Sequence, residues 1–321
     1  MDFHKLIYQD NEFDPDLLDK ACIQFTTSDP NDPVHEELNQ ILIQFSERPD
    51  NFNFCFPVIN GDCHTYTKFL AYQILKKNII KNWIRYPVDE TENIRHMILR
   101  SIVKMVQEGQ KPFTLSMANQ ALIEILKYDW PENWPLFISE LSETCKDQGI
   151  QFLKNGLDIL KMLADDITPS KNLGGISNSA QLTKDRQRKM QTQFINELNA
   201  IYSIIESALS LNNDPSQFNP TDLAEINSKL LSTLKSFIPV AGTDRLLHTP
   251  IISAITPLLM NDVYTYQVFS IFGKFCEDLS QSSTDNTVAV TYKDSMLAIF
   301  HTSLEKIYSM IGEQINFNCM E

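Results

Sequence analysis

The chain has 321 residues, 43% of them hydrophobic, and carries 41 acidic against 27 basic side chains for a formal net charge of −14. That length supports a sizeable core, and the acidic balance excludes a general binder of nucleic acid or of anionic membrane, since phosphate affinity comes mainly from Lys and Arg. Six cysteines without a CxxC pair predict reduced, packed thiols of an intracellular protein. MDFHKLIYQDNEFD lacks the basic start and apolar run of a secretory signal, and no stretch of about eighteen apolar residues occurs.

In chain order the pattern is helical almost throughout. Asp14-Pro15 and Asp32-Pro33 each place a capping carboxylate before a proline suited to the first helical turn, so helices are predicted from both points. Met97, Ile98, Ser101, Ile102 and Met105 form an apolar stripe at three- and four-residue spacing, as do Ile195, Leu198, Ile201, Tyr202 and Ile205. Asn219-Pro220 opens a further helix. Turn chemistry predicts loops at Ser28–Pro33, Lys171–Ala180, Asn212–Pro220 and Ser280–Thr287. With nine glycines and almost no hairpin signal, an all-α chain of roughly a dozen helices is expected, more than about 60% helical and without a sheet.

The helices read as repeated. QIL, QIL, EIL and DIL begin at Gln40, Gln73, Glu124 and Asp158, spaced 33, 51 and 34, a mean near the pitch of roughly 40–47 residues for HEAT or armadillo units. Trp83 in NWIRYP and Trp130 in DWPENWP stand 47 apart. A helix pair cannot bury its apolar face alone, so it folds back and stacks on its neighbours. Pro131 disfavours helix at Trp130 and ends one helix there; Pro135 is expected in the first turn of the next. Trp130, Pro131, Trp134 and Pro135 are therefore read as the structural corner between two helices of one repeat, with Phe137, Ile138, Leu141 and Cys145 as the buried stripe that follows.

Catalytic chemistry is absent from the pattern. His4, His35, His64, His96, His248 and His301 form no HExxH or facial-triad spacing. NLGGISNS lacks the lysine of a phosphate loop and reads as a flexible connection. Cys55, Cys63 and His64 supply fewer than four ligands for a metal, and Asp165-Asp166 sits at a helix end where solvation explains it. KDRQRK, Lys184 to Lys189, reads as a solvated helical face. No enzyme activity, catalytic residue, cofactor or metal is expected.

QILKKNIIKNWIRYP, EILKYDWPENWPLFISEL, GLDILKMLADDI and SKLLSTLKSFIPV, with the paired Trp-Pro motif in register, resemble the exportin-1-like nuclear export receptors of the importin-β (karyopherin) family. The resemblance runs from about Phe13 to the end and covers the N-terminal third or so of such a receptor. It implies a HEAT-repeat α-α superhelix, one continuous solenoid curving as a right-handed arc, in a protein that shuttles between nucleus and cytoplasm. Residues 33–108 would form two importin-β N-terminal-type repeats, 113–260 three exportin-1-like repeats, and 263–321 a sixth. The helix pairs would lie near 33–47 and 51–60, 64–83 and 89–107, 113–130 and 135–146, 150–166 and 183–210, 219–237 and 245–260, and 263–279 and 292–315, with a short capping helix after Asp14. Two departures stand out: Pro57 inside the short FNFCFPVIN, and the connection of the fourth repeat enlarged by its Gly-Gly loop.

In the family, the second (B) helices of the first repeats line the concave face and bind the GTP-bound GTPase Ran, with nucleoporins as further partners. The export-signal groove lies in repeats beyond Glu321, so export cargo would need those repeats; direct nucleic-acid and membrane partners are not implied. Burying Ile94, Met97, Ile98, Ser101 and Ile102 leaves Asn93, His96, Arg100, Lys104 and Gln107 on the opposite face of their helix. Burying Phe137, Ile138 and Leu141 leaves Ser139, Ser142, Glu143 and Lys146 outward. These polar residues are the expected Ran-contacting set, as one strip across adjacent B helices.

Overall fold

The protein's structure is a computed structural model that describes residues 2–8, 13–48, 50–109, 112–168, 183–247, 249–282 and 293–318. The NLGGISNS connection and most of the loop expected at Ser280–Thr287 lie outside them, as do His248 and Cys319. Among the described residues there is helix and no strand, the all-α repeat class expected. No described helix is long and apolar enough to cross a membrane.

The chain divides into two compact units, one up to Trp134 and one from Pro135 onward. The first holds a 3-10 turn at Phe3–Leu6, then α1 (Pro15–Thr27), α2 (Pro33–Glu47), α3 (Phe52–Asn60), α4 (Thr65–Asn82) with a 3-10 turn at Trp83–Arg85, α5 (Val88–Gln107) and α6 (Pro112–Asp129). The second holds α7 (Phe137–Asp147), α8 (Ile150–Ile167), α9 (Lys184–Asn196), α10 (Leu198–Ser210), α11 (Pro220–Ala241), α12 (Thr243–Leu247) and α13 (Ile251–Ile255). A 3-10 turn (Thr256–Met260), α14 (Asp262–Ser282) and α15 (Lys293–Asn318) complete it.

The predicted starts are made by side-chain caps. Asp14 Oδ1 accepts from the Asp16 and Leu17 amides at 3.0 and 3.1 Å, Asp32 Oδ1 from Val34 at 2.9 Å, and Asn219 Oδ1 from Thr221 at 2.9 Å. Each satisfies an amide that the first helical turn leaves without a partner, an arrangement worth about 1 kcal/mol.

Polar bonds between successive helices carry the repeat in the first unit. On α1, Asp19 Oδ1 accepts from the His64 amide at 2.7 Å and from Thr67 Oγ1 at 2.6 Å, across 45 and 48 residues, and so anchors the start of α4, which His64 itself caps. From α4 to α6, Lys76 Nζ donates to Gln120 Oε1, Tyr128 Oη to the Ile80 carbonyl, and Trp83 Nε1 to Asp129 Oδ1, across 44, 48 and 46 residues. The near-constant offset puts α1, α4 and α6 in one row. The helix after Asp14, expected only as a cap, thus holds the first place in that row. α6 is enclosed so fully that Glu124 and Lys127 are themselves buried, and they pair at 3.1 Å; a buried charge persists only when compensated in this way.

In the second unit the row runs from α8 to α11 to α14. Lys229 Nζ meets Asp158 Oδ2 at 2.6 Å across 71 residues, and Gln267 Nε2 donates to Ser228 Oγ at 3.2 Å across 39. The longer first interval contains α9 and α10. α7 and α8 meet closely: a Cβ on Gly156 would drive into Cys145 Sγ, so any larger residue there forces the buried thiol to move.

Three helix expectations change. The predicted 183–210 helix is two, because the backbone of Glu197 leaves helical geometry (φ −98°, ψ 14°). The predicted 245–260 helix is α12, α13 and a 3-10 turn, since Pro250 and Pro257 lack the amide an uninterrupted helix needs. The helix predicted to stop at 237 passes Pro239 and ends at Ala241, where Gly242 (φ +84°) turns the chain and its amide donates to the Ile238 carbonyl.

Lys154 couples α8 to α11. Its ammonium contacts Asp222 at 2.6 Å and also Glu225. Burial alone would lower the Lys154 pKa, but the two carboxylates outweigh burial and hold it above its ordinary value. The Lys154 hydrogen bond holds the Asp222 carboxyl below the usual carboxylate range. A depressed carboxylate stabilises the fold above its unfolded pKa of about 4 and loses that contribution as pH falls through the lower folded value. Lys154→Met should therefore lower the urea midpoint at neutral pH, and the gap from the parent chain should close below about pH 4. Urea titrations across that range check both parts.

Candidate functional site

α5 begins behind Pro87, carries Asp89 and Glu90 in its first turn and Lys104 in its last, the order that complements the helix dipole. Ile94, Met97, Ile98, Ile102, Met105 and Val106 are buried, and half-buried Ser101 bonds the Tyr72 hydroxyl. The outward face holds Asn93, His96, Arg100, Lys104 and Gln107, every one exposed. Lys104 makes a loose ion pair with Glu108 at 3.8 Å. Among the described residues, no side-chain hydrogen bond or ion pair engages Asn93, His96, Arg100 or Gln107. This is a polar face whose hydrogen-bonding capacity is turned to solvent, one turn after another along the helix.

α7 agrees less well with expectation. Ser139, Glu143 and Lys146 are exposed, but Ser142 is buried at 4%. Its buried seam is Ile138, Ser142 and Cys145, spaced four and three as one helical face requires, while Leu141 is only half-buried. Ser142 is thus small packing rather than part of an outward strip. Pro135 is exposed and stands before the helix, which begins at Phe137, because the chain from Trp130 to Leu136 is turn.

The Trp-Pro corner is built on Asp129, the last residue of α6. The main-chain oxygen of Asp129 accepts the Asn133 and Trp134 amides at 2.7 and 3.1 Å, closing the turn that contains the cis Trp130–Pro131 bond. Its buried carboxylate accepts from Trp83 Nε1 at 3.0 Å and faces Arg95 Nη1 at 3.5 Å. Arg95 in turn lies over the Trp134 ring, 5.7 Å from its centroid. Trp130 is wholly buried and Trp134 half-buried, as corner packing requires. Sequence reasoning missed Arg95 and Asp129, since their partnership spans 34 residues; the one signal for it was Asp129 beside the Trp-Pro pair, 46 residues after Trp83.

The thiols offer no reactive centre in the core. Burial pushes Cys22 and Cys145 up to about 12 and raises Cys55 as well, so all three stay protonated. Among the described residues, no group of three or more His, Cys, Asp or Glu side chains is placed to hold a metal ion.

Residues 111–292, more than half of the chain, match the family described as Exportin 1-like protein, and residues 39–104 match the Importin-beta N-terminal domain. The chain belongs to the exportin 1-like family. It is 25% identical to Exportin-1 of Schizosaccharomyces pombe over 313 residues, covering 96% of this chain and 26% of that protein. It is 24% identical to Exportin-1 of Drosophila melanogaster, with 98% of this chain and 27% of that protein covered, and 23% identical to Protein EXPORTIN 1B of Arabidopsis thaliana, with 92% and 29% covered. The chain thus spans about a quarter of the length of the curated relatives it matches. The importin-beta match runs from within α2 to within α5 and takes in the exposed residues from Asn93 to Lys104; the exportin 1-like match covers α6 to α14.

Removing the Asp129 carboxylate leaves the half-buried Arg95 guanidinium with only the looser Glu92 pair at 3.8 Å and the Trp83 indole N–H short of its acceptor. Asp129→Ala should cost about 2–4 kcal/mol. Asp129→Asn keeps an acceptor for Trp83 and loses only the charge facing Arg95, so it should cost less, about 1–2 kcal/mol. Urea unfolding followed by tryptophan fluorescence gives both values.

Proposed function

We propose that this chain is part of a nuclear export receptor and binds Ran in its GTP-bound form through the outward face of α5. The observation that carries the reading is that face itself: five exposed polar residues on the helix that closes the importin-beta N-terminal match, in a chain of the exportin 1-like family. Ser139, Glu143 and Lys146 of α7 would add contacts of their own; Ser142, being buried, would not. The role is recognition, without catalysis. Such a protein would shuttle between nucleus and cytoplasm and meet nucleoporins on the way, and loading with export cargo would need repeats beyond those described here.

The chemistry of the face suits a protein partner. His96, Arg100 and Lys104 follow one another at intervals of four residues, so they present a short basic line on an otherwise acidic chain. Charges at an interface rim steer association and select partners more than they add raw affinity.

Calorimetry against Ran loaded with GTP or GDP tests the reading. Binding should be tighter for the GTP form. Arg100→Glu combined with Lys104→Glu should weaken it about tenfold or more without changing the helical circular dichroism, since neither side chain is packed. Equal affinity for the two nucleotide states, or no binding at high concentration, would favour a helical scaffold that ignores Ran.

A further inference from the structure

Asn-Gly occurs twice in the chain, at Asn60-Gly61 and at Asn155-Gly156. Asparagine is a thermolabile residue, and a following glycine has no side chain to shield its main-chain nitrogen from the asparagine amide. Folding treats the two pairs differently. Asn155 lies in the interior of α8 and is 5% exposed, and a helix interior holds the next amide in its hydrogen-bonded ladder. Asn60 is the last residue of α3 and is exposed. Among the described residues, no hydrogen bond or ion pair holds its side chain.

Gly61 stands just past the helix with an extended backbone (φ −79°, ψ 178°), and its amide donates to the Pro57 carbonyl at 2.9 Å. That bond opens easily. α3 has only nine residues, Asn51 gives its first turn no side-chain cap bond, and Pro57 withholds an amide from its interior. The end of such a helix opens locally at little cost, without the rest of the molecule unfolding. The glycine is itself required by the turn: a Cβ at Gly61 would come 2.7 Å from the Pro57 carbonyl oxygen, a main-chain atom that cannot swing aside.

We propose that Asn60 is a deamidation site, at which the folded chain converts this asparagine to aspartate and isoaspartate while Asn155 is preserved. The Gly61 nitrogen gives up its proton to hydroxide and attacks Asn60 Cγ. The N–Cγ bond forms, the Cγ–Nδ2 bond breaks and ammonia leaves, giving a cyclic imide. Water then opens the imide: attack at Cγ yields aspartate, and attack at the main-chain carbonyl carbon yields isoaspartate, in which the chain runs on through Cγ. Each conversion consumes one water and releases one ammonia, with no change of oxidation state. Either product puts a carboxylate at the C-terminal end of α3, and isoaspartate adds a main-chain carbon to the connection leading to His64, whose amide Asp19 holds.

Ageing of the 321-residue chain at about pH 8 and about 37 °C, with and without about 6 M guanidinium chloride, tests the proposal. Chymotrypsin releases residues 55–66, in which Asn60 is the only side-chain amide, so the mass gain of that peptide reads its conversion directly. Labelling with an isoaspartate methyltransferase reads the second product. In the folded chain Asn60 should convert at least about tenfold faster than Asn155, and faster as hydroxide concentration rises. In denaturant the two rates should converge, because the helix that protects Asn155 is gone. A folded chain in which Asn60 converts no faster than Asn155 would overturn the proposal. A gap between the two that persists undiminished in denaturant would overturn it equally, since the selectivity would then owe nothing to the fold.

Discussion

A single buried carboxylate organises the packing of α4, α5 and α6. Asp129 closes α6, and its side chain accepts from the Trp83 indole at the end of α4 while facing the Arg95 guanidinium on α5. Taking a carboxylate out of water costs several kcal/mol, and that cost is offset only if donors are already in place when the helices pack. The arrangement is therefore selective: α4, α5 and α6 cannot shift against one another without stranding a charge. Arg95 lies between Ile94 on the buried stripe and His96 on the outward face. Holding its head group against Asp129 and the Trp134 ring fixes the rotation of α5 about its axis, and with it the direction in which Asn93, His96 and Arg100 point.

The same logic extends to polar contacts between successive helices elsewhere in the first unit. Asp19 of α1 anchors the start of α4, and Tyr128 of α6 reaches the Ile80 carbonyl. Apolar stripes alone are tolerant of sliding, because one leucine replaces another at little cost. Directional bonds at a near-constant offset of 44 to 48 residues specify a register. In the second unit the Lys154 and Lys229 bridges do this between α8 and α11, over a longer interval of sequence.

Local rules made much of this legible. Asp14, Asp32 and Asn219 cap the helices they were expected to cap, because that bond joins residues two or three apart. The α5 stripe was readable since helical period alone sorts its residues, and all five outward positions are exposed. The misses are non-local. Ser142 was read outward because it is polar, although Ile138 and Cys145 at spacings of four and three put it on their own face. Arg95 was unassigned because periodicity shows that it flanks the core and says nothing of an acid 34 residues away. Likewise α1 could be placed in the row with α4 and α6 only through the Asp19 bonds, which no property of PDLLDKACIQFTT announces. Membership of the exportin 1-like family accounts for the helical repeat.

Native-state hydrogen exchange in Asp129→Ala compared with the parent chain tests the role of this carboxylate most directly. If it holds the three helices in register, amides around the Trp83–Arg85 turn, the first half of α5 and residues 130–134 should lose protection together, while those of α1 and α2 keep theirs. Loss spread evenly over residues 2–134, or protection around Trp83 and Arg95 unchanged, would contradict it.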